Sequence, residues 1–211
     1  MNKTSTYNYN SIVEHYEKCL EQYGDSHKGV DWPNIADAKK RYSVMLDIIK
    51  DINEDITILD FGCGASHLVE FIKENNLPQI NYSGLDISEK FIGLSKSKFP
   101  DLNFYCVDVL EDSDALPVFD YIVMNGVFTE KISMSNDEMF SYLKDIVSIL
   151  FEKCRNGLAF NVMSKNVDWE RKDLFHLDKE LLVEFLKKEV SEDYKIREDY
   201  GLYEYTVYIY K

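Results

Sequence analysis

The chain has 211 residues, 45% of them hydrophobic, which is enough for one domain with a sizeable core and, at most, a helical extension to it. Its 38 acidic residues outnumber 24 lysines and arginines, and the resulting charge of -14 repels nucleic acid and anionic membrane surfaces, arguing against RNA or DNA as substrate. No stretch approaches the roughly 20 apolar residues of a membrane span, so a soluble cytoplasmic protein with no membrane insertion is expected.

From the N-terminus, Ile12, Val13, Tyr16, Leu20 and Tyr23 recur at helical spacing, and Gly24-Asp25-Ser26 stops the pattern. The next loop combines His27, Asp31 and Trp32, an odd composition for a connector. A second helical pattern covers residues 34–50, with Ala38, Tyr42, Met45, Leu46 and Ile49 on one face and Arg41 beside them. Residues 56–59 then read as a buried parallel strand running into Asp60, Gly62 and Gly64, followed by a helix-like segment at 68–73. Two glycines at alternate positions allow a tight turn and let a ligand lie against the backbone, while the helix aims its free N–H groups at that ligand. A nucleotide-like cofactor is the natural guest. A dinucleotide fingerprint wants a further glycine at position 67, where His67 stands, and the Gly-Lys-Ser/Thr of a phosphate-binding loop is absent.

A second strand, residues 81–86, ends in Asp86, where a doubly wound sheet places an acid over a ribose diol. Ser88 caps a helix that Pro100 prevents from continuing, and a third strand at 102–107 leads to Asp108. The fourth strand, 119–124, is followed by Asn125-Gly126-Val127-Phe128. Ser135-x-x-Glu138 is a capping-box pattern opening a helix that Asn156-Gly157 is expected to close. A fifth strand covers residues 158–163, and Asp178 caps another helix. Residues 194–198 and 203–210 alternate as a hairpin around Asp199-Tyr-Gly-Leu, and tyrosines such as Tyr205, Tyr208 and Tyr210 there are β-formers.

The turn Asp60-x-Gly62-x-Gly64 resembles the first motif of class I S-adenosylmethionine-dependent methyltransferases, acidic-x-Gly-x-Gly-x-Gly, with Ser66 in place of the third glycine. The resemblance covers about residues 55–211. It implies an α/β, Rossmann-like class I methyltransferase fold: a seven-stranded, mostly parallel sheet with a C-terminal antiparallel hairpin and an N-terminal helical lid. Residues 1–53 would be the lid and residues 54–211 the cofactor-binding domain. S-adenosylmethionine is then the cofactor and S-adenosylhomocysteine the product. Asp60, Gly62, Cys63, Gly64, Asp86, Ile87, Asp108, Val109, Asn125 and Gly126 line its expected site, Asp108 near the adenine amino group. Trp32 stacks on the donor or anchors the lid, and Arg41 pairs with the donor's carboxylate or is a surface arginine. Residues 29–32 (Gly-Val-Asp-Trp) and 199–204 (Asp-Tyr-Gly-Leu-Tyr-Glu) are similar to small bacterial methyltransferases associated with capsule and other surface-polysaccharide gene sets. That likeness implies a small-molecule or nucleotide-linked acceptor, a sugar or a phosphoramidate modification.

Methyl transfer from a sulfonium is an in-line displacement, so the protein must align the acceptor and exclude water. A neutral hydroxyl needs a general base, and the histidines are His15, His27, His67 and His176. His15, Tyr16, His176 and Tyr200 are the acceptor-side candidates. The plainer alternatives are an exposed helix residue for His15, a solvated loop for His176 and a structural role for His67. An anionic acceptor needs no base and would draw on Arg41, Lys165, Arg171, Tyr16 or Tyr200. O-methyl transfer is the main reading; N-methyl transfer to a small metabolite and a non-catalytic cofactor-binding module are the alternatives. A polyamine synthase would want paired acids after the fourth strand, where Asn125-Gly126 stands. The histidines and the four cysteines, Cys19, Cys63, Cys106 and Cys154, show no ligand spacing, so reduced thiols and no metal are expected.

Overall fold

The computed structural model describes residues 7–50, 55–77 and 79–211. β1 (Ile56–Phe61), β2 (Ile80–Asp86), β3 (Asn103–Cys106), β4 (Phe119–Phe128), β5 (Cys154–Ser164), β7 (Tyr194–Arg197) and β8 (Glu204–Tyr210) form one sheet in the order β3-β2-β1-β4-β5-β8-β7. The first five are parallel, and β8 runs antiparallel to both β5 and β7. An additional two-residue strand, β6 (His176–Leu177), pairs with the end of β5 within the segment expected to be loop.

The helices are α1 (Asn10–Tyr23), α2 (Ile35–Leu46), α3 (His67–Glu74), α4 (Glu89–Lys98), α5 (Asn136–Glu152) and α6 (Lys179–Phe185). Their starts follow the caps in the sequence: Asn34, Ser88 and Asp178 accept backbone N–H groups of α2, α4 and α6, and Ser135 with Glu138 forms the reciprocal capping box of α5. Because side chains alternate across a strand, β1 sends Leu59 to one core and Ile58 to the other, and β4 likewise divides Met124 from Val123. Leu59 and Met124 pack with Leu143 of α5 and Leu182 of α6. Ile58 and Val123 pack with Met45 of α2, Val69 of α3 and Ile92 of α4. The result is a sheet covered by helices on both faces.

Two expectations change. Asn156 and Gly157 do not close α5, which ends at Glu152; they lie inside β5, where Gly157 pairs with Tyr210 and an added Cβ would meet the Ile209 carbonyl at 2.7 Å. The two N-terminal helices also separate. The apolar stripe of α2 (Ala38, Tyr42, Met45) lies against the sheet, so α2 is a sheet-covering helix, and α1 with the short 3-10 helix His27–Val30 covers the strand ends. The expected boundary at residues 53/54 lies outside the described residues.

Candidate functional site

Strand order reverses between β1 and β4, and a doubly wound sheet opens its crevice outside the carboxyl ends of the strands at that point. A cleft of about 1140 Å³, counting its open mouth, lies there. Its floor comes from residues 60–64, 85–88, 107–109 and 125–127, and its roof from Tyr9, Ile12, Val13 and Tyr16 with Val30 and Trp32. The space suits a ligand of nucleoside size or larger.

The turn after β1 is built for close approach. Gly62 and Gly64 both have positive φ, 72° and 51°, and a Cβ on Gly62 would stand 2.7 Å from Val127. Ser66 is also left-handed, φ 59°, which explains why glycine suits that place; here the serine is fully buried and its hydroxyl bonds that of Ser95 at 2.7 Å. Asp86 braces the turn from β2: Oδ2 accepts the Gly64 N–H and Oδ1 the Ser88 N–H, both at 2.9 Å. A carboxylate offers about four acceptor positions, so its remaining lone pairs can receive a diol. Burial raises the Asp86 carboxyl above the ordinary range, against the pull of those N–H groups. Asp60, beneath the turn, accepts the Tyr82 hydroxyl at 2.8 Å and is pushed up to about 7 by burial.

At the far side of the floor, Asp108 accepts the Leu110 N–H at 3.0 Å and the hydroxyl of Tyr9 from the roof. Tyr9 stacks on Tyr142 of α5 at 5.6 Å. On the other side the β4 ladder is interrupted between Met124 and Phe128, and Gly126, φ 83°, turns outward there. Its N–H bonds Asn161 Oδ1 at 2.8 Å, its carbonyl accepts the Thr129 and Tyr16 hydroxyls, and Trp32 leaves no room for a Cβ.

Residues 59–155, which carry this floor, match a family described as a methyltransferase domain. The fold is the Rossmann-like fold of the class I methyltransferases. A relative is the Mycobacterium tuberculosis (strain ATCC 25618 / H37Rv) protein named "Putative methyltransferase Rv1506c", 26% identical over 163 residues that cover 75% of this chain and 95% of that one. Magnesium protoporphyrin IX methyltransferase (ChlM) from Synechocystis PCC 6803, solved with bound S-adenosylhomocysteine, superposes with a TM-score of 0.67 at 15% identity, covering 97% of this chain and all of the other. The plantazolicin methyltransferase BpumL gives a TM-score of 0.61 at 18% identity, covering 96% and 89%. At these identities the solved structures share the fold.

Of the residues expected to hold the cofactor, Asp60, Gly62, Cys63, Gly64, Asp86, Ile87, Asp108, Val109, Asn125, Gly126 and Trp32 all line the cleft. Arg41 does not. Its guanidinium grips both oxygens of Glu204 at 2.8 and 3.0 Å and stacks on Trp32 at 4.3 Å, so it supports the cleft wall from behind. Among the acceptor-side residues, Tyr16 lines the cleft and its phenol is raised by burial and by the nearby Glu130 charge. His15 turns aside to Asp31, 2.7 Å away. His176 is buried in β6, with Nδ1 donating to the Ser164 carbonyl at 2.6 Å, and Tyr200 is buried with its hydroxyl on Thr206 and Glu204. Neither of these two lines the cleft, because the pairing that forms β6 and the β7–β8 turn draws both inward. His67 also lines it, but bonds Asp25 at 2.8 Å, fastening the loop after α1 to α3. Tyr9 and Tyr142 are cleft residues the sequence reading missed. Tyr9 precedes the first helical repeat, and Tyr142 sits in what looked like a plain crossover helix; only the approach of α5 to the strand ends reveals it.

Proposed function

We propose that this chain is an S-adenosylmethionine-dependent O-methyltransferase acting on a small hydroxyl-bearing acceptor, a sugar or a sugar-linked phosphoramidate modification in cytoplasmic surface-polysaccharide assembly. The observation that carries the cofactor half is Asp86, a half-buried carboxylate fixed by two backbone N–H groups at the cleft floor with lone pairs left for a ribose diol. In this reading Asp86 takes the ribose hydroxyls, residues 62–64 give the methionyl part its close backbone approach, and Asp108 with Val109 borders the adenine. When bound, the cofactor supplies an electrophilic methyl group on a sulfonium.

The chain's own task is alignment and exclusion of water. Tyr16, Val30 and Trp32 close the roof, and Asn125 Oδ1 is buried with no hydrogen-bond partner among the described residues, a vacancy an acceptor O–H would satisfy. The saccharide assignment rests on the likeness carried by residues 29–32 and 199–204. A second reading, N-methylation of an amine that docks as its ammonium ion and gives up a proton before the nitrogen attacks the methyl carbon, is favoured by the acidic Glu130 and Asp31 around Tyr16. To test both, the protein is incubated with methyl-labelled S-adenosylmethionine and a panel of nucleotide sugars, sugar phosphoramidates and small amines. Label on a sugar or phosphoramidate oxygen, with S-adenosylhomocysteine released, is the expected result. Label on nitrogen, or cofactor binding with no turnover on any oxygen acceptor, overturns the O-methyl reading.

A further inference from the structure

Beside the roof of the cleft, on α1 and the loop after it, lies a cluster that the O-methyl reading does not use. His15 and Cys19 lie four residues apart in α1, on one face of the helix. Asp31 comes back to them from beyond the 3-10 helix, in a left-handed conformation with φ 56°. His15 Nε2 stands 2.7 Å from Asp31 Oδ2 and 3.8 Å from Cys19 Sγ, and one ligand atom from each of the three residues lies within 4.8 Å of the others. We propose that His15, Cys19 and Asp31 bind a divalent transition-metal ion of the zinc class, which ties α1 to the loop carrying Val30 and Trp32.

The donor set is one imidazole nitrogen, one thiolate and one carboxylate, the three ligand types zinc takes. With Zn–N about 2.0 Å, Zn–S about 2.3 Å and tetrahedral angles, nitrogen and sulfur stand about 3.5 Å apart and nitrogen and oxygen about 3.3 Å. The observed nitrogen–sulfur distance of 3.8 Å is about 0.3 Å wider and the nitrogen–oxygen distance of 2.7 Å about 0.6 Å narrower than those values, so admitting the ion requires the His15–Asp31 pair to open. Charge argues for the ion. Glu130 is only 8% exposed, and its Oε2 has no hydrogen-bond partner among the described residues. The Glu130 charge bears on His15, Cys19 and Asp31, so the ion would gain a further negative neighbour. The linear sequence shows neither Cys-x-x-Cys nor His-x-x-x-His; the helix pairs His15 with Cys19, and the turn after the 3-10 helix adds Asp31.

The test uses the full chain, reduced and stripped with a chelator, titrated with Co²⁺ and followed by absorption, then with Zn²⁺ in competition. One equivalent of Co²⁺ should give d–d bands of a tetrahedral site with a near-ultraviolet thiolate charge-transfer band, displaced by Zn²⁺. Cys19→Ala should abolish the charge-transfer band, and His15→Ala and Asp31→Asn should each weaken binding at least tenfold. Cys106→Ser, at the exposed cysteine, should leave the spectrum unchanged. No stoichiometric band in the wild-type chain, a band that survives Cys19→Ala, or one that disappears in Cys106→Ser overturns the assignment.

Discussion

Replacing Asp86 by asparagine probes the cleft floor most directly. The carboxylate now holds the Gly64 and Ser88 N–H groups, one on each oxygen. Asparagine keeps one acceptor and turns an NH₂ toward the other donor, and its neutral oxygen gives the ribose only ordinary hydrogen bonds. Charge-assisted bonds are worth about 1.5–3 kcal/mol against about 1 kcal/mol for neutral ones. For two ribose hydroxyls the loss therefore amounts to about 1–4 kcal/mol, or roughly 5- to 700-fold in affinity. Calorimetric titration with S-adenosylhomocysteine measures it, and the melting temperature of the ligand-free variant separates loss of binding from loss of fold. The pH dependence gives a second reading of the same contact. Ribose hydroxyls donate to the ionised carboxylate, and burial raises that carboxyl, so wild-type affinity should decline as pH falls through the raised value, whereas the Asp86→Asn variant should lack this dependence. A folded Asp86→Asn protein that binds within about threefold of wild type would refute the ribose contact.

Asp60 should set a stability gradient. Its carboxyl moves from 3.8 in the unfolded chain to about 7 in the fold, so stability is fully present below 3.8 and is lost as pH rises toward 7. Denaturation of Asp60→Asn beside wild type should show the variant gaining up to about 4 kcal/mol relative to wild type at neutral pH and nothing at acid pH; parallel curves would remove Asp60 from that role. Gly126→Ala places a Cβ 2.8 Å from the Trp32 ring at φ 83°, and should cost about 1–3 kcal/mol and shift the Trp32 fluorescence, with Trp169, 71% exposed, as the invariant reference. Arg41→Met leaves Glu204 buried without its cation, an expected loss of about 3–5 kcal/mol in urea denaturation, whereas Arg41→Met with Glu204→Leu should lose clearly less; equal losses would mean that the pair is not coupled.

The cleft floor was readable because its signals are local. Gly62, Gly64, Asp86 and Asp108 each stand at or just after the end of a short strand-like run, and parallel strands bring such ends to one edge. Arg41, His176 and Tyr200 were misplaced for the opposite reason. Arg41 meets a glutamate 163 residues away, and nothing near either residue records the pairing. His176 is withdrawn by pairing with the end of β5, and Tyr200 by hydrogen bonds to Glu204 and Thr206, whose place only the assembled sheet fixes. Asn156-Gly157 has the composition of a helix stop, but the crowding of Gly157 against β8 is a property of the assembled sheet. The helical period in residues 35–46 gave the correct element, and its packing against the sheet, as opposed to the strand ends, had no local marker.

The strand order also bears on how the polypeptide is made. β8 follows β7 in the chain yet lies between β7 and β5, so β7 has no neighbour until β8 has been synthesised. A nascent chain on the ribosome therefore carries β5 with one bare edge, a row of free backbone donors and acceptors that invites pairing with other chains. A premature stop codon upstream of Glu204 would release a chain that keeps the cleft-floor residues 60–127 but leaves that edge permanently open, and its expected fate is aggregation.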